Sequence, residues 1–128
     1  MSSLRPWLES FTWEIVTTLN RGLCEAKKAL HKPTSDGHAD TKTLWDSNHL
    51  NVMTLDDAVD LCRRCHRMAP FCFYNGNTFA AIMALVVKKM NLPADQAFII
   101  RSLAGHIVSG VATDEEVKAF KAFSDSLA

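Results

Sequence analysis

Residues 62–66, Cys-Arg-Arg-Cys-His, are the part of this sequence best equipped for chemistry. C-x-x-C-H is the attachment pattern of c-type haem. In that arrangement Cys62 and Cys65 bond the vinyl groups and His66 ligates iron, with Met68, Met83, Met90 or His106 available as the opposite axial ligand. Cys72 extends the spacing to C-x2-C-x6-C. With His66 or His49, the three thiols make a four-donor set suited to zinc, or a thiolate cradle for an iron–sulfur cluster. Asp36, His38, Asp40 and Asp46 add potential ligands upstream. Without any metal, Cys62 and Cys65 form a dithiol among Arg63, Arg64 and Arg67, whose charge favours the thiolate.

The competing reading needs no chemistry. Leu55, Val59, Cys62, His66 and Ala69 recur with the pitch of an α-helix, with Ala58 and Cys65 beside them. The interior demands apolar groups at those positions, and an unpaired cysteine behaves as a small buried hydrophobe. Cys72 lies in an apolar run, Phe71-Cys72-Phe73. The dithiol also sits late in its helix, whereas reactive pairs use the N-terminus, where the dipole lowers a thiol pKa. The start, MSSLRPWLESF, shows no secretory signal. Disulfides are therefore not expected, and a cytoplasmic location is. No cofactor is expected; zinc, an iron–sulfur cluster or haem c is the alternative. Asp95, Ser102 and His106 share the polar side of one helix and read as exposed. With no glycine-rich phosphate loop, nucleophile elbow or H-E-x-x-H motif, nothing points to an enzyme, and no catalytic residue is assigned.

The elements carrying these residues are helices. Gly 5 and Pro 4 are too few for an all-β chain. A first helix is read from Ser3 to His31, with Leu8, Phe11, Ile15, Leu19, Leu23, Ala26 and Leu30 inward. Gly22 would bend it or admit a close neighbour. A polar linker of about 32–53 follows, with a short helix near Asp40–Ser47 anchored by Leu44 and Trp45. Thr54 caps the next helix, whose Asp60 and Arg64 are an i,i+4 pair, and Pro70 ends it. Tyr74–Asn77 read as a turn before an all-apolar helix, Thr78–Met90, expected at the centre of the fold. Pro93 opens a helix with Ile99, Ile100, Leu103, Ala104 and Ile107 inward and Gly110 as its stop. Thr113 and Glu116 form a capping box for the last, with Val117, Phe120, Phe123 and Leu127 inward. The expectation is an all-α, single-domain bundle spanning 1–128, with four main helices plus the short linker helix.

Charge and exposed apolar groups point to contacts. Fourteen basic and fourteen acidic residues cancel, which argues against a whole-protein grip on nucleic acid or an acidic membrane. The longest apolar run, Phe79–Val87, is nine residues, too short to span a bilayer. Yet between Leu61 and Arg101 six basic residues face one acid, Asp95, a local charge of +5. Trp13 and Cys24 fall off the stripe of the first helix, and Phe98 projects beside Gly105, opposite Leu103 and Ile107. Large aromatics outside a core mark interfaces. The function expected is a non-enzymatic interaction or regulatory module acting through protein–protein contacts. Its partner would be another protein or a second copy, with Trp13 and Phe98 as anchors and Arg63, Arg64 and Arg67 as charged complement. Nucleic acid is a weaker match, and a metal or thiol-redox protein using Cys62, Cys65, Cys72, His66 and His49 is the alternative.

Overall fold

The computed structural model describes residues 4–127. Among them the chain forms six helices and no strand: α1 Trp13–Ala26, α2 His38–Asn48, α3 Leu55–Arg67, α4 Asn75–Lys89, α5 Ala94–Ser109 and α6 Asp114–Ser126. The all-helical class is as expected; the six helices match the five segments read plus the linker helix, so the expected layout of four main helices and a linker helix is one helix short. α4 is the central rod, packed on α1, α3 and α5, while α2 leans on α1 and α3, and α6 on α3 and α5. No helix among the described residues is long and apolar enough to cross a membrane.

Local signals set most boundaries. Thr54 accepts the Asp57 N–H at 3.0 Å while the Asp57 carboxylate accepts the Thr54 N–H at 3.3 Å, so the box closes on an Asp rather than the usual Glu. Thr113 and Glu116 close the second box, and Gly110 takes φ 78° at the end of α5. α4 starts earlier than expected, at Asn75, because the Asn75 side chain accepts the Phe71 N–H at 2.9 Å and donates to the Phe71 carbonyl at 2.7 Å. That clamp holds the preceding turn and leaves Tyr74 at φ 61° as the residue before the helix. The linker is built in at both ends by isolated bridges, Pro33 with Phe71 and Arg5 with Met53. Between them Trp45 of α2 is fully buried and donates its indole N–H to the Phe11 carbonyl at 2.8 Å.

The first helix departs most from expectation. It begins at Trp13, capped by Thr12, whose Oγ1 accepts the Ile15 N–H at 3.3 Å; the expected start at Ser3 lies outside the described residues. Leu8 and Phe11 still enter the core, but from a turn closed by bonds from Glu9 to Pro6 and from Phe11 to Leu8. The chain before that turn is held by the reciprocal Arg5–Met53 bonds, which a helix from residue 3 would have to break. Its inward face is Trp13, Val16, Asn20 and Cys24, so Ile15, read as inward, is 40% exposed. The helix stops at Ala26, where Lys28 turns left-handed at φ 55° and the Ala29 N–H reaches the Cys24 carbonyl. In α5, Val108 and not Ile99 is buried; in α6, Ser124 replaces Val117 inside and accepts the Asp56 N–H at 3.0 Å.

Two glycines separate on this architecture. Gly22 lies in an exposed stretch of α1, and a Cβ there meets nothing within 4 Å, so it admits no close neighbour. A Cβ on Gly37 would stand 2.1 Å from the Met68 carbonyl oxygen and 2.6 Å from that of Ala69. Gly37 thus lets the start of α2 touch the end of α3. Gly22→Ala is expected to raise unfolding free energy by about 1 kcal/mol in urea titration. Gly37→Ala is expected to lower it by about 1–3 kcal/mol, since rigid backbone has to move. A neutral Gly37→Ala would show that this contact is loose.

Candidate functional site

The Cys/His set is dispersed by the fold. Cys62 and Cys65 are fully buried on the inner face of α3. Burial pushes the Cys62 thiol well up, with Cys65 beside it adding to the effect, and pushes Cys65 up to about 12. Arg64 pulls Cys65 the other way, but the cost of charging sulfur in the core exceeds that attraction. The expected activation of the dithiol by its arginines is therefore reversed. Cys72 is exposed, whereas the pair is buried. His66 Nδ1 lies 2.8 Å from the Val108 carbonyl oxygen and His49 Nδ1 lies 3.3 Å from that of Leu8; both rings tie helices to neighbouring backbone. Among the described residues no three His, Cys, Asp or Glu side chains are placed to hold a metal ion. The described residues thus do not bring Cys62, Cys65, Cys72, His66 and His49 together as one donor set.

His106 is likewise engaged in local structure. Its Nδ1 pairs with the Glu116 carboxylate at 2.6 Å, and Glu116 also accepts the Thr113 N–H. The Thr113 bond first, then His106, hold that carboxyl below its ordinary range.

A polar centre that sequence reasoning missed lies inside α1. The Asn20 side chain is fully buried. Its amide donates to the Phe73 carbonyl at 2.8 Å and to Thr78 Oγ1 at 3.0 Å. Its oxygen accepts the His31 Nδ1–H at 2.8 Å and the Cys24 thiol at 3.6 Å. All four capacities of the amide are used. The one available signal was Asn20's place at helical spacing between Val16 and Cys24. Desolvation first, then the charge of Arg21, hold His31 below its ordinary pKa, with Glu25 opposing them.

The expected contact residues part company. Trp13 is only 7% exposed and stacks on Phe71 with centroids 5.9 Å apart, so it is a core residue and not an anchor. The correction follows from the phase of α1, which turns the Trp13–Asn20 face inward. Phe98 is 62% exposed, with the Arg101 guanidinium 5.8 Å from its ring centroid. Beside it runs a groove of about 520 Å³ between α4 and α5, lined by Leu85, Lys88, Leu92, Ala97 and Arg101 among others. Arg63, Arg64 and Arg67 stand exposed near the far end of the bundle. The His66–Val108 bond joins the C-terminal ends of α3 and α5, and Phe98 precedes Val108 by ten residues, or about 15 Å of helix. The fold therefore does not bring Phe98 and the arginines into one patch. Nor do the arginines find acids. Among the described residues the ion pairs fall at Lys42–Asp46, His106–Glu116 and Lys121–Asp125, so the expected Asp60–Arg64 pair is not formed. Comparison with protein-family models, curated proteins and solved structures finds no match to this chain.

Two outcomes follow from this chemistry. A disulfide reagent added to native protein is expected to titrate Cys72 alone and quickly, with Cys24, Cys62 and Cys65 reacting only in denaturant; rapid native reaction of Cys62 or Cys65 would contradict their placement. Because the folded pKa of His31 is depressed, the unfolded chain binds the extra proton first. Its contribution is full above about pH 6.5 and is lost as pH falls through the folded value. Wild type should thus lose more stability than His31→Gln between pH 7.5 and 5 in denaturant titrations; parallel losses would remove His31 as the cause.

Proposed function

We propose that this protein is a non-enzymatic, one-domain interaction module that pairs with a second copy of itself through the outer face of α4 and α5. The observation that carries the reading is Phe98, 62% exposed beside the α4–α5 groove. Leu85, 38% exposed on α4, adds apolar surface along the same groove. Apolar side chains grouped in this way favour a protein contact, because covering them removes hydrocarbon from water.

The pattern of charges supports a twofold pairing. Asp95 and Arg101 lie three residues to either side of Phe98 on α5. When two copies of one helix run antiparallel about an axis at residue n, position n−3 of one comes level with n+3 of the other. With n at Phe98, each Asp95 meets an Arg101 on the other copy, and the two rings meet at the axis. Such an interface is self-complementary and closes as a dimer rather than growing into a filament. The four unbridged cysteines are compatible with a reducing, cytoplasmic setting.

Sedimentation or light scattering at micromolar concentration is expected to report a dimer. Phe98→Ala is expected to weaken it roughly 30-fold, the size of a 2 kcal/mol hot spot, with helix content unchanged because the ring is mostly in solvent within one copy. Asp95→Arg should also weaken the dimer, and the swap Asp95→Arg with Arg101→Asp should restore it. A strictly monomeric wild type, or a Phe98→Ala variant that dimerises unchanged, would overturn the proposal.

A further inference from the structure

The second surface is a cleft of about 380 Å³ at the seam of α2 and α3, lined by Leu44, Met68, Arg64 and Arg67. It is separate from the α4–α5 face and shares no residue with it. Leu44 and Met68 are half-buried, so each shows part of an apolar side chain to the opening. Arg64 and Arg67 rim it, with Arg63 exposed on the same helix, and none of the three is in an ion pair with a carboxylate of the described residues. Two guanidiniums outside any ion pair on the rim of an apolar cleft make a site with two requirements: hydrocarbon for the cleft and carboxylates for the rim.

We infer that this cleft docks a short acidic segment of a partner protein, one large apolar side chain entering between Leu44 and Met68 while flanking Asp or Glu side chains pair with Arg64 and Arg67. Guanidinium groups suit this role because their planar forks match carboxylates two bonds at a time. Nucleic acid fits less well. Arg64 also borders a neighbouring cavity of about 300 Å³ lined by Asp57 and Asp60, whose charges repel a phosphate backbone continuing past the cleft. A peptide that ends its acidic run at Arg64 avoids them. The cleft chemistry therefore selects a compact ligand carrying both hydrocarbon and acid over an extended polyanion.

A phage-displayed library of random peptides, selected on the wild-type protein, tests this directly. Enriched peptides are expected to carry an aliphatic or aromatic residue flanked by Asp or Glu. Their affinity, read by fluorescence anisotropy on the labelled peptide, should fall at least tenfold for Arg64→Ala with Arg67→Ala and decline with added salt. Both arginines are exposed, so circular dichroism should be unchanged in that variant. Met68→Gln, at a half-buried position, should weaken the same peptides without abolishing the salt dependence. The Phe98→Ala protein should bind them as wild type does, which keeps this test distinct from that of self-pairing. The inference is overturned if selection yields no acidic–apolar pattern, if the arginine double variant binds the selected peptides equally well, or if a single-stranded oligonucleotide of similar length binds more tightly than they do.

Discussion

The amide of Asn20 is the constraint on which the arrangement of the other helices turns. A buried amide has two N–H groups and two lone-pair directions, and each left unmet in a core costs about 1–3 kcal/mol. Here Phe73, Thr78, His31 and Cys24 meet all four. These partners come from α4, from the segment before it, from the segment after α1 and from α1 itself. Any rotation of α1 about its axis would break the bonds to Phe73, Thr78 and His31 together. The phase of α1 is thus fixed by these hydrogen bonds together with the burial of Trp13, Val16 and Cys24 on the same face. Once fixed, it carries Trp13 inward onto Phe71, and Phe71 is the residue that Asn75 clamps and that pairs with Pro33. The route from Asn20 to the seating of the linker is a chain of direct contacts.

This explains which parts of the fold were legible in the sequence. Helices α3, α5 and α6 announce themselves because their ends are local: Thr54 with Asp57, Gly110, and Thr113 with Glu116 are decided within four residues. The burial of Cys62 and Cys65 was legible for the same reason, since the pitch of α3 needs apolar groups there. Helix α1 is not decided locally. Leu8 and Phe11 continue its apolar spacing, yet the bonds that hold the chain before their turn involve Met53, forty-eight residues beyond Arg5. Periodicity left Asn20 out of account and set the stripe about Ile15 instead of Val16. The error about Trp13 is one consequence of that rotation. Phe98 was read correctly as outward because α5 has no such buried polar group to shift its phase.

The same logic governs the charges. A net charge of zero conceals a separation that folding does not undo: Asp60 and Arg64 sit four residues apart on α3 and still do not pair. An exposed pair of this kind is worth a few tenths of a kcal/mol, so leaving it unmade costs the fold almost nothing. The arginines are therefore free for another role at negligible expense to stability, whereas Cys65, one residue from Arg64, stays neutral because burial outweighs the cation. Position relative to the core decides each case, not residue type.

The two surfaces gain meaning from their separation. Phe98 lies toward the start of α5, about 15 Å of helix from Val108, where α5 meets the end of α3 that carries the arginine-rimmed cleft, and the two surfaces have no residue in common. Substitutions at such distances act additively, so one surface can be occupied without altering the other. On the reading proposed above, a dimer built at Phe98 holds two clefts in fixed relation. A partner bearing two acidic segments would then meet its second cleft at an effective concentration set by its own linker, not by the solution. Each cleft needs only modest affinity, which suits a site made of two half-buried apolar side chains and exposed guanidiniums. Dimerisation would thus convert two weak contacts into one selective contact, without any chemistry at the cysteines.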